Sequence, residues 1–198
     1  MSQNEKKSFR TVPGIGRYEF SEKKSRFIGH VEMVPDEDAA RQVLEKIRTE
    51  FPDATHHVWS YIVDKRELYS DDGEPSGSSG KPTLMVLAGR DLTNVICVTT
   101  RYYGGTKLGV GGLVRAYSDA CVGAVEDAGI VEMIEAADVA FHLDYNMIGT
   151  LEHFLSNVRA EIIGREFGQD VEFTLRLPTM FIADLDTFVT NLTRGKSM

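Results

Sequence analysis

The segment that most restricts the fold runs Arg101-Tyr102-Tyr103-Gly104-Gly105-Thr106-Lys107-Leu108-Gly109-Val110-Gly111-Gly112-Leu113-Val114-Arg115. It leaves residues 93–100, which are dense in β-branched side chains and read as a buried strand. It enters a stripe of Leu113, Ala116, Tyr117, Ala120, Ala124 and Ala128, spaced three or four apart. That stripe predicts a helix packing closely through small side chains and ended by Gly129. Glycines between a strand and a helix let backbone N–H groups approach an anion. The helix N-terminus adds unpaired donors and a positive dipole end. Arg101, Lys107 and Arg115 add mobile positive charge, and Tyr102 or Tyr103 can stack on a base. The same residues also suit a tight helix–sheet turn with tyrosines in the core, and the pattern alone leaves both open. The spacing is not G-x-G-x-x-G, so a dinucleotide is not indicated.

A second cluster precedes it: Asp71-Asp72-Gly73-Glu74-Pro75-Ser76-Gly77-Ser78-Ser79-Gly80-Lys81-Pro82. Gly80-Lys81 invites a phosphate-loop reading, but Pro75 and Pro82 stand where that motif needs Gly and Ser or Thr. Asp71, Asp72 and Glu74 could hold a divalent cation or supply a general acid or base. Turn acids that cap amides or pair with arginines are the plainer expectation, and no metal or other cofactor is assigned. His56 and His57 open a strand, so their side chains point to opposite faces and cannot share one metal in regular geometry. Cys97 and Cys121 follow no nucleophile signature, and Gly77-Ser78-Ser79-Gly80 is not a nucleophile elbow. No catalytic residue is assigned. The binding candidates are residues 101–107, Gly109 and Arg115, with His56, His57, residues 71–74 and Lys81 as a second set.

Along the chain, residues 1–13 read as a loose polar arm. Residues 15–21 and 25–34 read as a hairpin. Asp36 predicts a helix N-cap, Ala40, Val43, Leu44, Ile47 and Phe51 its apolar stripe, and Pro52 its stop. Residues 57–63 are β-rich, residues 64–82 read as a long loop, and residues 83–88 fit helix or strand. Residues 130–134 read as a strand. After Glu135 the pattern restarts as βαββα, with strands at 139–143, 161–165 and 171–177, and helices at 146–158 and around Leu185–Leu192. A second domain from residue 136 fits this order.

Composition constrains partners more than fold. The chain carries 22 Lys+Arg against 30 Asp+Glu, a net charge of −8. Divided after Glu135, each part is −4. Neither is a basic tail that coats nucleic acid indiscriminately. Residues 81–115 differ: Lys81, Arg90, Arg101, Lys107 and Arg115 face one acid, Asp91. No apolar run approaches the ~20 residues of a membrane span. Residues 1–10 have no apolar stretch of the kind a secretory signal needs. Two cysteines inside apolar runs fit buried thiols in a reducing cytoplasm.

Residues 71–75 followed by 101–109, with Ala54-Thr55-His56-His57 upstream, strongly resemble the YigZ/IMPACT family. The resemblance spans about residues 10–135, and the remainder looks like the smaller domain of bacterial YigZ-type members. It implies an α+β chain with two domains. Residues 1–135 would form a two-layer α/β domain like elongation factor G domain IV and some ribosomal proteins, with helices on one face of a mixed sheet. Residues 136–198 would form a ferredoxin-like βαββα(β) domain like domain V. The sequence reading lacks the closing strand, so a shortened chain or a bare sheet edge is expected. Eukaryotic IMPACT-type members are translational regulators that bind a protein partner through which a stress kinase is activated. Their accessory domain differs, so that partner is not transferred. The leading expectation is a non-enzymatic cytoplasmic protein that binds RNA or a ribosome-associated partner. A small hydrolase or phosphate-ligand enzyme built from the two loops comes next in kind, and a pure protein-interaction module is the third reading.

Overall fold

In the computed structural model, which describes residues 8–158 and 160–193, the chain divides into two compact units, Phe9–Met133 and Ile134 onward. The first unit is built on a five-stranded sheet in the order β2 (Gly16–Glu22), β3 (Ser25–Met33), β6 (Val95–Tyr102), β4 (His56–Val63), β5 (Arg66–Ser70). Every neighbouring pair is antiparallel. The short strands β1 (Ser8–Thr11) and β7 (Val131–Ile134) pair separately. The N-terminal arm is therefore a strand from Ser8, and residues 1–7 lie outside the described residues.

Side-chain alternation sorts the sheet into two faces. Ile96 and Val98 of β6 meet Tyr61 and Val63 of β4 and the buried stripe of α1 (Glu37–Glu50). Asp36 caps α1 by accepting from the Ala39 N–H at 2.7 Å. Val95 and Cys97 point the other way, toward α2 (Gly80–Gly89) and α3 (Val110–Ala128). The resemblance implied helices on one face of a mixed sheet; the unit is α/β as expected, but its sheet is antiparallel and α1 covers the face opposite α2 and α3. The small-residue stripe of α3 has a steric purpose. A Cβ placed on Gly29 of β3 would lie 2.3 Å from the Ala120 carbonyl oxygen, so only glycine permits this helix–sheet spacing.

One sequence expectation changes and one open alternative is resolved. Residues 64–82 are not one loop, because β5 forms within them and α2 begins at Gly80. Residues 83–88 are helical. Strand pairing with β4 overrides the weak polar pattern of β5. The helix α2 buries Pro82, Thr83, Leu84 and Leu87, and starts behind a Ser/Gly/Pro cluster that reads as a turn.

The second unit is ferredoxin-like: β8 (Ala136–Leu143), α4 (Ile148–Val158), β9 (Glu161–Phe167), β10 (Val171–Pro178) and α5 (Ile182–Thr193). Its sheet runs β8-β10-β9, antiparallel throughout, so β8 is an edge among the described residues. The inward faces of β8 and β10 pack Phe141, Leu143, Phe173 and Leu175 against Leu151 and Leu155 of α4 and Leu185 and Val189 of α5. No described helix is long and apolar enough to cross a membrane.

Candidate functional site

The acidic loop is shaped by its own carboxylates. Asp71 accepts from the amides of Gly77 (2.7 Å), Ser79 (3.0 Å) and Gly80 (2.8 Å). It thereby supplies the cap that Ser79, at the N-cap of α2, does not. Asp72 adopts φ +42° and accepts from the His57 N–H at 2.6 Å. Glu74 is directed into the fold, its side chain 5% exposed. Ser78 and Ser79 are buried and bond within the loop.

Arg101 meets Glu74 there. It is the seventh residue of β6 and shares the inward face of Val95 and Cys97. Its Nη1 donates to Glu74 Oε1 at 2.5 Å and its Nη2 to Ser25 Oγ at 3.1 Å. The Arg101 guanidinium carbon lies 5.3 Å from the ring centroids of both Phe27 and Tyr103. Tyr117 of α3 donates its hydroxyl to the same Glu74 oxygen at 2.7 Å. Burial, reinforced by the charge and hydrogen bond of Glu74, drives the Tyr117 pKa far above the ordinary phenol value, so the hydroxyl stays a donor. His56 completes the group: its Nδ1–H donates to the Asp72 carbonyl at 2.7 Å, since a carbonyl can only accept. Its Nε2 then faces Glu74 Oε1 at 3.8 Å.

The glycine loop closes over this floor. Tyr103 N donates to Thr55 Oγ1 (3.0 Å), and Gly104 N to Ser25 Oγ (3.2 Å). A Cβ on Gly104 would fall 2.0 Å from the Lys24 carbonyl oxygen, so the loop is seated on the β2–β3 turn. Gly105 and Gly109 hold φ +80° and +73°. The result is a cleft of about 420 Å³. Its floor is Thr55, His56, Glu74 and Arg101; its walls are Pro75, Tyr103, Leu108, Val110 and Leu113; Lys107 and Gly109 border it.

The two candidate sets thus converge, but not every member takes part. Arg101 is no mobile charge: it is 3% exposed and neutralised by Glu74. A strand position facing a helix has no solvent to reach. Tyr102 points to the opposite face, where Arg26 lies 5.6 Å from its ring. His57 also faces away and is buried; burial lowers its pKa, against the raising effect of Asp72. Lys81 is exposed at the start of α2 and Thr106 is exposed in the loop; neither lines the cleft. Gly73 sits with φ +86° against His56. Arg115 lies on α3, beside a neighbouring depression. Ser25 and Tyr117 were missed as site residues. The signal for Tyr117 was a hydroxyl-bearing ring in a stripe otherwise of small apolar residues. Ser25, a buried hydroxyl at the first position of β3, gave none. Among the described residues no cluster of His, Cys, Asp and Glu fits a metal ion.

Comparison with known proteins agrees with this architecture. Residues 23–125 match the Impact N-terminal domain, and residues 141–196 match a domain of unknown function, DUF1949. The chain belongs to the YigZ/IMPACT family. IMPACT family member YvyE of Bacillus subtilis (strain 168) is 35% identical over 96% of this chain and 89% of its own length. IMPACT family member YigZ of Escherichia coli (strain K12) is 32% identical over 87% of each. A crystal structure described as a hypothetical protein superposes with a TM-score of 0.72 at 28% identity, covering 96% of this chain and 95% of that one.

Proposed function

We propose that the N-terminal unit binds single-stranded RNA, one unstacked base entering the cleft, and that the protein is a non-enzymatic cytoplasmic regulator linked to translation. The observation that carries the reading is the convergence of both loops on one cleft with an aromatic wall, a neutralised polar floor and a cation at its border. Tyr103 is 44% exposed and offers a stacking face. Its position is held by the Thr55 bond and the Arg101 contact. Arg101 and Glu74 cancel each other, so the floor presents hydrogen-bonding edges without net charge. Lys107 and the uncapped amides of α3 suit the attached phosphate. The resemblance of this domain to translational regulators supports the wider role.

The enzyme reading gains the convergence it required but lacks free chemistry. Asp71 and Asp72 are engaged with amides, Glu74 with Arg101 and Tyr117, and the Ser78 hydroxyl with the Pro75 carbonyl and the Ser79 hydroxyl.

The test is fluorescence anisotropy with single-stranded RNA, duplex RNA and duplex DNA across a salt series. Tyr103→Ala is expected to weaken single-strand binding by about 1–3 kcal/mol, the range for base–aromatic stacking. Lys107→Ala should flatten the log–log salt slope by about 0.7, one phosphate of a single strand. Unchanged affinity in both variants, or no binding at low salt, would leave the interaction-module reading in its place.

A further inference from the structure

Beside the cleft lies a second depression of about 300 Å³, lined by Phe20, Glu22, Lys23, Arg115 and Asp119, with Leu108 shared between the two. We infer that the two depressions form one continuous track for at least two linked nucleotides, with the phosphodiester crossing Leu108, the residue before the N-cap of α3. The inference rests on the RNA reading above and names the minimum length of its ligand.

Three observations carry it. First, the depressions adjoin, both being lined by Leu108: Gly109 and Val110 border one, and Gly112, further along α3, borders the other. The α3 amides, which no side chain caps, thus lie at the crossing. Second, the charges are available. Asp119 is one turn from Arg115 and Glu22 is adjacent to Lys23, yet no ion pair joins either cation to an acid among the described residues. Third, Lys23 and Lys24 form the two-residue turn between β2 and β3 with φ +45° and +68°. Such turns favour Asn-Gly, because both central residues need left-handed backbone. Lysines there carry strain that glycine would relieve, and Gly104 packs this turn onto the glycine loop. Lys23 is thereby fixed at the rim of the second depression. Phe20, stacked at 5.3 Å on Phe27, gives that depression an aromatic wall for a second base.

Affinity is to be measured by calorimetry or anisotropy for a mononucleotide, a dinucleotide and a tetranucleotide of single-stranded RNA. The wild-type protein is expected to gain at least tenfold from mono- to dinucleotide. Arg115→Gln should abolish that gain; Tyr103→Ala should weaken all three ligands. Lys23→Gly should lose several-fold in dinucleotide affinity while melting about 2–4 °C higher, because relieving the left-handed lysine stabilises the turn. Equal mono- and dinucleotide affinities overturn the track and leave the single-base reading standing. So does an Arg115→Gln that retains the full gain. Binding of none of the RNAs overturns both.

Discussion

The two faces of the five-stranded sheet both bury polar groups, and they neutralise them by different means. On the α2–α3 face, Arg101 keeps its charge and is matched by Glu74, with Ser25 and Tyr117 filling further valences. On the α1 face, His30 and His57 are buried and held toward the neutral form, chiefly by desolvation. His30 touches Glu32 at 3.0 Å, a contact that opposes the downward shift without reversing it. Matched charge gives directional donors and acceptors at a cleft floor, whereas each neutral imidazole on the α1 face leaves one ring nitrogen without a partner among the described residues. That contrast is why the functional reading attaches to one face, and it yields three tests on stability.

The largest effect is expected from breaking the ion pair. Arg101→Met leaves Glu74 buried with Tyr117 as its remaining donor, and should destabilise the fold by about 3–5 kcal/mol in urea denaturation. Adding Glu74→Gln to the same chain should recover most of that loss, because the uncompensated charge is then gone. A single-variant cost below about 1 kcal/mol would mean the pair is solvated, and the comparison of faces would fail.

The second test is pH. In the unfolded chain His30 and His57 protonate near about pH 6.5. In the fold their pKa values lie lower, so between the two values the unfolded state binds more protons. Stability is therefore complete above about pH 6.5–7 and falls as pH drops, by at most about 1.4 kcal/mol per pH unit for each histidine. His57→Gln should make the urea midpoint less pH-dependent between pH 7 and 5. Equal slopes in His57→Gln and wild type would show that His57 does not titrate between the two states.

The same contrast explains what could be read from the sequence. The helix α1 announces itself because Asp36, an apolar stripe and Pro52 agree within one segment. The α3 stripe is equally local, and so is the β2–β3 hairpin. The helix α2 is obscured because its cap comes from Asp71, nine residues before Gly80. Alternation in β6 is enough to assign Arg101 a face, but not a partner, for Glu74 lies 27 residues away in a loop without regular period. Hence the sequence marked both loops as candidates and still mistook Arg101 for a mobile charge. In the ferredoxin-like unit the apolar pattern accounts for nearly every element, because burial there is the whole of the constraint.

The smallest effect compares adjacent residues of one strand. Thr99 faces α2 and α3, Thr100 faces α1, and both are buried with hydroxyls lacking a partner among the described residues. Valine has nearly the same shape and no hydroxyl to desolvate. Thr99→Val and Thr100→Val are each expected to stabilise by up to about 1 kcal/mol, since removing an unpaired buried polar group restores its desolvation cost. Equal small gains in the urea midpoint mean the two faces are equally dry behind their polar groups. A loss confined to Thr99→Val means water reaches that side from the cleft, and that the floor under Arg101 is wetter than its burial implies.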